Sequence, residues 1–371
     1  MLITGGAGFI GSNFIRYIFE KTEFNGKIIN CDKLTYAGNL MNLTDIDTKF
    51  GGKRYFFERT DICNYKTIEE IFKKYNIAIV VHFAAESHVD RSIYGPKDFV
   101  ETNVIGTFNL LEAARQFWGQ RRDVRFHHIS TDEVFGSLGD TGCFYETTPY
   151  DPRSPYSASK AASDHLVRAY FHTYNLPITL SNCSNNYGPY QFPEKLIPLI
   201  ILNAIEGKEL PVYGDGKNVR DWLYVEDHCD GIWLILKKGK TGEIYNVGGE
   251  CEKQNIEVVN SICGILEELY PVKNNPVLNS SSSSNSLNGS DGSKKHYKDL
   301  IKFVKDRPGH DRRYAINCDK IKKELGWKQR HDFKTAINHT VNWYMENREW
   351  VESIRSGDYM KWIERNYTFR I

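Results

Sequence analysis

The feature that most narrows the choice of fold is an alternation. From residue 1 to about residue 187, short β-branched or apolar runs take turns with longer segments of helical period. Runs 1–3, 27–31, 77–83, 124–129 and 177–181 read as strands, and helical patterns open near Phe9, Tyr65, Lys97 and Pro155. Strands that return through a helix pair in parallel, and a parallel sheet needs cover on both faces. The pattern therefore predicts an α/β fold with a Rossmann-type doubly wound parallel sheet. Only the first run is short for a strand, with three residues before the glycines begin.

Beyond Tyr187 the alternation loosens, and Pro189, Pro193, Pro198 and Pro211 punctuate shorter elements. This predicts a first domain over 1–186, to which later segments at about 222–250 return, and a smaller mixed α/β domain over 187–371 that binds substrate. Residues 274–293 are rich in Ser, Asn and Gly, with four consecutive serines at Ser281 to Ser284, and lack the apolar area that ordering requires, so a disordered insertion is expected there. Trp343, Tyr344, Trp350, Met360 and Trp362 among charges predict one or two amphipathic helices in the tail, 335–371.

Charge excludes some partners. With 48 basic and 47 acidic side chains the formal net charge is +1, so no broad field draws a nucleic acid or an anionic membrane. No apolar run reaches the roughly 18 residues that span a bilayer, and a cytoplasmic protein is expected. The 8 cysteines include no CxxC pair and are expected to be reduced. No cluster has metal-ligand spacing, so no metal is expected, and His82, His88, His127 and His128 are assigned core or orienting roles.

Gly5, Gly8 and Gly11 follow the first apolar run and open a helical pattern with GxxGxxG spacing. Glycine serves there for the tight turn, for approach of backbone to a pyrophosphate and for helix–strand packing, and the helix N-terminus offers its N–H groups to the anion. Asp32 ends the second run about 20 residues later, where a carboxylate accepts ribose hydroxyls and repels a 2′-phosphate, so NAD is favoured over NADP. Asp61 and Ile62 follow another apolar run, at 55–57, and suit the adenine edge.

Two constellations carry proton chemistry. Tyr156 and Lys160 stand at i and i+4 on one helical face, and an ammonium beside a phenol is expected to lower its pKa and make it a usable base. Thr131, Asp132 and Glu133 follow the run 124–129 and so emerge at the carboxyl end of a strand, where open parallel sheets bind ligands. Adjacent carboxyls are expected to push their pKa values apart, one serving as acid and one as base.

Taken together, TGGAGFIGS, CDKLTYAGN, HFAAESHVDRSI, ETNVIGT, STDEVFG, PYSASKA, CSNNYGPYQFPEKLIP, VYGDGKNVRDWLYVEDH, YNVGG and DRPGHDRRY resemble the extended short-chain dehydrogenases/reductases, the NAD-dependent sugar epimerase/dehydratase family. The resemblance runs from Gly5 to about Tyr344, and Asp132 is what separates the dehydratase branch from the epimerases and decarboxylases. It implies a homodimeric hydro-lyase with NAD bound throughout and a nucleotide-sugar substrate, dTDP-glucose first among them. In that reading Tyr156, helped by Lys160 and Thr131, deprotonates the 4-hydroxyl, Glu133 removes the C5 proton, and Asp132 protonates the departing 6-hydroxyl.

The resemblance further implies cofactor contacts from Gly5, Gly8, Phe9, Ile10 and Gly11, then from Asp32, Lys33, Leu34 and Thr35. Further along these continue with Asp61, Ile62, Ala84, Ala85 and Thr102, and with Tyr156, Lys160 and Asn186. Implied substrate contacts are Ser87, Thr131, Asn185, Lys195, Leu196, Pro211, Tyr213, Arg220, Asn255, Arg307 and His310. Arg220, Arg307 and Lys195 suit a diphosphate, which arginine's planar fork grips bidentately. Dimerisation would use helices near 99–114 and 156–172. A UDP-sugar 4-epimerase or decarboxylase, a UDP-glucose 4,6-dehydratase and a non-catalytic NAD-binding scaffold are the alternatives.

Overall fold

The computed structural model describes residues 1–279 and 296–354. In chain order the elements are β1 (Leu2–Thr4), α1 (Phe9–Lys21), β2 (Ile28–Asp32), α2 (Thr44–Phe50), β3 (Tyr55–Arg59), α3 (Tyr65–Tyr75), β4 (Ile79–His82), α4 (Val89–Tyr94) and α5 (Pro96–Phe99). Next come α6 (Thr107–Trp118), β5 (Arg125–Thr131), α7 (Pro155–Tyr174), β6 (Ile178–Cys183), β7 (Asn185–Tyr187), α8 (Leu196–Ile205), β8 (Leu210–Tyr213), β9 (Val219–Tyr224) and α9 (Val225–Lys238). The remainder are β10 (Ile244–Val247), β11 (Glu252–Gln254), α10 (Asn255–Leu269), α11 (Pro276–Asn279), β12 (Ile301–Val304), α12 (Asp319–Leu325), α13 (Phe333–Glu346) and α14 (Arg348–Ile354).

Seven strands form one sheet in the order β10-β6-β5-β4-β1-β2-β3, and each neighbouring pair is parallel. Successive side chains on a strand point to opposite faces, and the core divides accordingly. Leu2, Ile29, Val80 and Phe126 pack with α3, α6 and α7 residues such as Phe72, Leu110 and Val167. Ile3, Ile28, Val81 and Ile129 pack with Phe14, Ile15 and Ile18 of α1 and Ile232 of α9. The sheet is thus doubly wound, as the alternation predicts. Short as it is, β1 is wholly buried between β4 and β2, and its three residues pair on both sides.

The chain divides into two compact units. The first comprises Met1–Asn186, Asp221–Glu252 and Asp311–Arg330. Its third segment has no counterpart in the sequence pattern, which assigned 187–371 mainly to the second domain and named only about 222–250 as returning to the first. Trp327 Nε1 donates to the Asp227 carbonyl at 3.1 Å and Arg330 N to Asp227 Oδ1 at 3.0 Å, so specific hydrogen bonds rather than periodicity return this segment. The second unit comprises Tyr187–Arg220, Lys253–His310 and the chain from His331. In it α8, α10 and α13 pack together through Ile200, Val259, Ile262 and Val341. A two-stranded parallel sheet, β12-β8, completes it.

The expected insertion begins later than its composition indicates. Val272–Asn274 forms a 3-10 turn and Pro276–Asn279 a helical turn, with Asn275 and Leu278 buried, so 274–279 are ordered; 280–293 lie outside the described residues. The two tail helices are α13 and α14, while Met360 and Trp362 also lie outside the described residues. Between α5 and α6 the chain takes a π-helical turn, Val100–Gly106, which no propensity announces.

Candidate active site

Strand β1 ends in a turn that only glycine accommodates. Gly5 has φ +70, and a Cβ there would sit 2.7 Å from the Ala84 backbone. At Gly11 a Cβ would collide with the Gly5 carbonyl oxygen, whereas at Gly8 its nearest atom would be 3.3 Å away and the space is otherwise open. Gly8 is also the N-cap of α1, and no side chain caps that helix end. The arrangement is an open backbone cradle at a positive helix end, which fits a pyrophosphate.

Asp32 ends β2 beside it. Its Oδ2 accepts from Ala7 N at 3.0 Å and its Oδ1 from Leu34 N at 2.8 Å. Burial pushes its carboxyl up, and these two N–H groups pull the other way. The carboxylate retains lone pairs for a ligand's hydroxyls, so the residues present suit a dinucleotide. A cleft of about 460 Å³ lined by Lys33, Leu34, Thr35, Arg59, Thr60 and Asp61 adjoins it. Asp61, expected at the adenine edge, has partners within the chain. It pairs with Lys33 Nζ at 2.6 Å and caps Cys63 N at 2.9 Å; burial raises its pKa, but the Lys33 ion pair and the Cys63 hydrogen bonds together outweigh this and hold it below the usual range.

Strand β5 delivers the second constellation. Thr131 is its last residue and caps a 3-10 turn, Asp132–Phe135, its hydroxyl accepting from Glu133 N at 3.3 Å. The same hydroxyl donates to Asp132 Oδ1 at 3.3 Å, and Asp132 is buried. Helix α7 starts where Ser154 forms a capping box with Ser157 and Pro155 occupies the first turn, which sets Tyr156 one position in.

The phenol of Tyr156 lies in this setting without the lowered pKa expected from Lys160. Burial pushes it well above the ordinary value, Glu133 and Asp132 push it further, and the Thr131 hydroxyl opposes them. Lys160 is turned toward β5 instead, donating to the Ile129 carbonyl at 2.8 Å with His128 Nε2 at 3.3 Å. Helical spacing gave the shared face correctly, but not the partner that the buried ammonium selects.

Nearby polar groups are fixed by elements distant in sequence. Asn103, in the π-helical turn, accepts from Glu86 N at 2.8 Å and donates to the Glu86 carbonyl at 3.0 Å and to Ser159 Oγ at 2.8 Å. It therefore ties the segment carrying Ala84, Ala85 and Ser87 to α7, a role that sequence reading missed. Thr102 adjoins it in the same turn, and Ile62 is buried against the α3–α6 core. Asn186 Oδ1 faces His228 Nδ1 at 2.9 Å. Asn185 Oδ1 is buried with no hydrogen-bond partner among the described residues, an atom left for a ligand. His82, His127 and His128 are fully buried and lie well below the usual imidazole range through desolvation.

The second unit collects its own cluster. Tyr213 and His310 rings meet edge to face at 6.0 Å, and His310 Nδ1 lies 2.6 Å from Asp306 Oδ1. Burial lowers His310 to about 4, and the Arg307 and Arg220 guanidiniums lower it too, so two cations converge on it. Arg220 is 5% exposed. Pro211 lies on β8 with Tyr213, Lys195 and Leu196 open α8, and Asn255 opens α10 with its buried Oδ1 lacking a hydrogen-bond partner among the described residues. Among the described residues no group of three or more His, Cys, Asp or Glu has metal-site geometry.

A doubly wound parallel sheet with a glycine turn after β1 and a Tyr–Lys helix after β5 defines an extended short-chain dehydrogenase/reductase. Residues 2–340 match the family described as GDP-mannose 4,6 dehydratase, and the chain belongs to that family. It is 51% identical over 384 aligned positions to the dTDP-glucose 4,6-dehydratase of Shigella flexneri, covering 100% of this chain and 99% of that protein. It is 54% identical over 364 positions to a probable dTDP-glucose 4,6-dehydratase of Sinorhizobium fredii, covering 97% of this chain and 96% of that one. Among solved structures, a dTDP-glucose 4,6-dehydratase of Streptomyces venezuelae with NAD bound superposes with TM-score 0.83 at 42% identity, covering 95% of this chain and 99% of that one.

Proposed function

We propose that this chain is a hydro-lyase that converts dTDP-glucose to dTDP-4-keto-6-deoxyglucose and water with NAD as a resident cofactor. The observation that carries the reading is the turn at the end of β5, where one threonine hydroxyl contacts Asp132 Oδ1 and the Glu133 backbone N–H and both carboxyls act on the buried Tyr156 phenol. The glycine turn, Asp32, Lys33, Leu34 and Thr35 would hold NAD, with Phe9, Ile10, Ala84, Ala85, Thr102, Lys160 and Asn186. NAD supplies, when bound, the acceptor and later the donor of one hydride.

Tyr156 takes the proton of the sugar 4-hydroxyl, and Thr131 orients that hydroxyl. Tyr156 can take that proton only as the phenolate, its own proton having left first; burial and the two neighbouring carboxyls oppose that loss, and holding Asp132 protonated, as a general acid requires, removes one of the two charges. Oxidation at C4 acidifies C5, whose proton Glu133 takes, while Asp132 gives its proton to the leaving 6-hydroxyl and water departs. Arg220, Arg307 and Lys195 pair with the diphosphate, and Ser87, Asn185 and Asn255 hydrogen-bond the substrate.

Incubation with dTDP-glucose carrying deuterium at C4 tests the cycle. The label is expected at C6 of a 4-keto-6-deoxy product, and a product without it would sink the proposal. In Asp132→Asn, oxidation at C4 should proceed while loss of water falls about 10²-fold. We further propose a homodimer joined through the face carrying Val100, Ile105 and Phe108, which are 50%, 47% and 42% exposed. Light scattering should give twice the chain mass. Eight free cysteines support a cytoplasmic location, and no described helix is long and apolar enough to cross a membrane.

A further inference from the structure

Behind Lys160 lies a buried anion that the proton chemistry above does not use. Asp164 follows Lys160 by one helical turn on α7, and both side chains are almost wholly excluded from solvent. Ser130 Oγ donates to Asp164 Oδ2 at 2.7 Å and Tyr150 OH to the same oxygen at 3.0 Å. His128 Nε2 lies 3.2 Å from Asp164 Oδ1 and 3.3 Å from Lys160 Nζ. The ammonium has only donors, so it is Lys160 that donates to His128 Nε2, and the imidazole stands between Lys160 and Asp164 as a neutral ring with its proton on Nδ1. Two hydroxyl donors converge on one carboxyl oxygen, which therefore serves as an acceptor.

A buried carboxylate needs a cation, and among the charges acting on Asp164 that of Lys160, one helical turn back, is the largest. We propose that Asp164 is the buried counter-ion that keeps the Lys160 ammonium charged and aimed, acting on the reaction through Lys160 as a positioning residue. The proposal rests on the dehydratase reading for its effect on turnover but not for its effect on Lys160. The groups facing Lys160 are His128 and the Ile129 carbonyl on β5, His82 on β4, Cys183 on β6, and Asp164 on its own helix. Those facing Asp164 are Ser130, Tyr150, His128, Lys160 and His165. Burial lowers Lys160, and Asp164 is the larger of the two charges that raise it back. Burial lifts Asp164 to about 6, with Lys160 the first influence opposing it.

The test follows the Lys160 ammonium directly, in full-length protein isotopically labelled at lysine Cε, the resonance being identified by its loss in Lys160→Arg. In Asp164→Asn the Lys160 titration midpoint should fall by about one pH unit or more, and the alkaline limb of kcat should move down with it. Asp164→Ser, smaller and likewise neutral, carries the same expectation should the Asn variant not fold. Asp164→Glu should keep both values near those of the parent. An unmoved midpoint in the neutral variants, with kcat lowered evenly at every pH, would overturn the proposal, as would an equal fall in Asp164→Glu. A parent protein that shows the expected titration but leaves dTDP-glucose untouched would instead refute the dehydratase reading alone.

Discussion

At the ends of β1 and β2 the site is made chiefly of backbone, whereas at the end of β5 and along α7 it is made of buried side chains. The first region presents the N–H groups of Gly5 to Gly11 and one carboxylate, Asp32, itself held by two backbone N–H groups. In the second, Thr131, Asp132, Tyr156, Lys160 and Asp164 are all buried. A backbone cradle depends on the room left by missing side chains. A buried polar network depends on every member finding its partner, since an uncompensated charge in low dielectric is costly.

The sharpest way to break this comparison is in the second region. Tyr156→Phe keeps the ring, which packs edge to face on Phe99 at 6.2 Å, and removes only the hydroxyl. Turnover of dTDP-glucose should fall about 10³-fold while bound NAD, measured by mass spectrometry of the native protein, is retained. Gly11→Ala, in the first region, should do the reverse. Its methyl displaces the Gly5 carbonyl and with it the cradle, so NAD affinity measured by calorimetry should fall about 10²-fold. A Gly11→Ala protein that lost kcat with NAD affinity intact would show that the two regions are not separable in this way.

Asp32→Asn sharpens the first region further. The amide keeps one acceptor for the two N–H groups, from Ala7 and Leu34, but gives up the charge, and NAD affinity should weaken about tenfold. Discrimination against NADP should narrow, because the repulsion of a 2′-phosphate goes with the charge. Unchanged relative affinities for the two dinucleotides would remove Asp32 from the ribose end.

The two regions were also unequally legible in the sequence. Glycine spacing and the carboxylate ending β2 are local patterns, and the turn after β1 follows from them almost directly. Tyr156 and Lys160 share a helix face by arithmetic, yet the direction of the ammonium depends on the Ile129 carbonyl, 31 residues away in sequence. Asp164 reads as one more polar helical residue until folding brings Ser130, Tyr150 and His128 around it. The π-helical turn at Val100–Gly106 has no propensity signal, and its Asn103 acquires meaning only from Glu86 and Ser159. The ion pair between Lys33 and Asp61 was hidden for the same reason: each was read against a ligand and neither against the other.

The smallest effect expected concerns how α7 is fastened. Tyr170, near its C-terminal end, donates to Glu112 Oε1 of α6 at 2.5 Å, and Arg115 donates to Glu112 Oε2 at 2.7 Å. The Arg115 bond first, and the Tyr170 bond after it, hold the Glu112 carboxyl down at about 2. Its folded value lies below its unfolded one, so its contribution to stability is present in full above about pH 4.5 and is lost as pH falls through about 2. Because the pair borders solvent, the shift is discounted to about 1 kcal/mol. Glu112→Gln should therefore lower the denaturant midpoint slightly at neutral pH and merge with the parent in strong acid, leaving bound NAD unchanged. A difference that stayed constant across that pH range would mean that the pair acts by packing rather than by charge, and α7 would then be fastened by its apolar face alone.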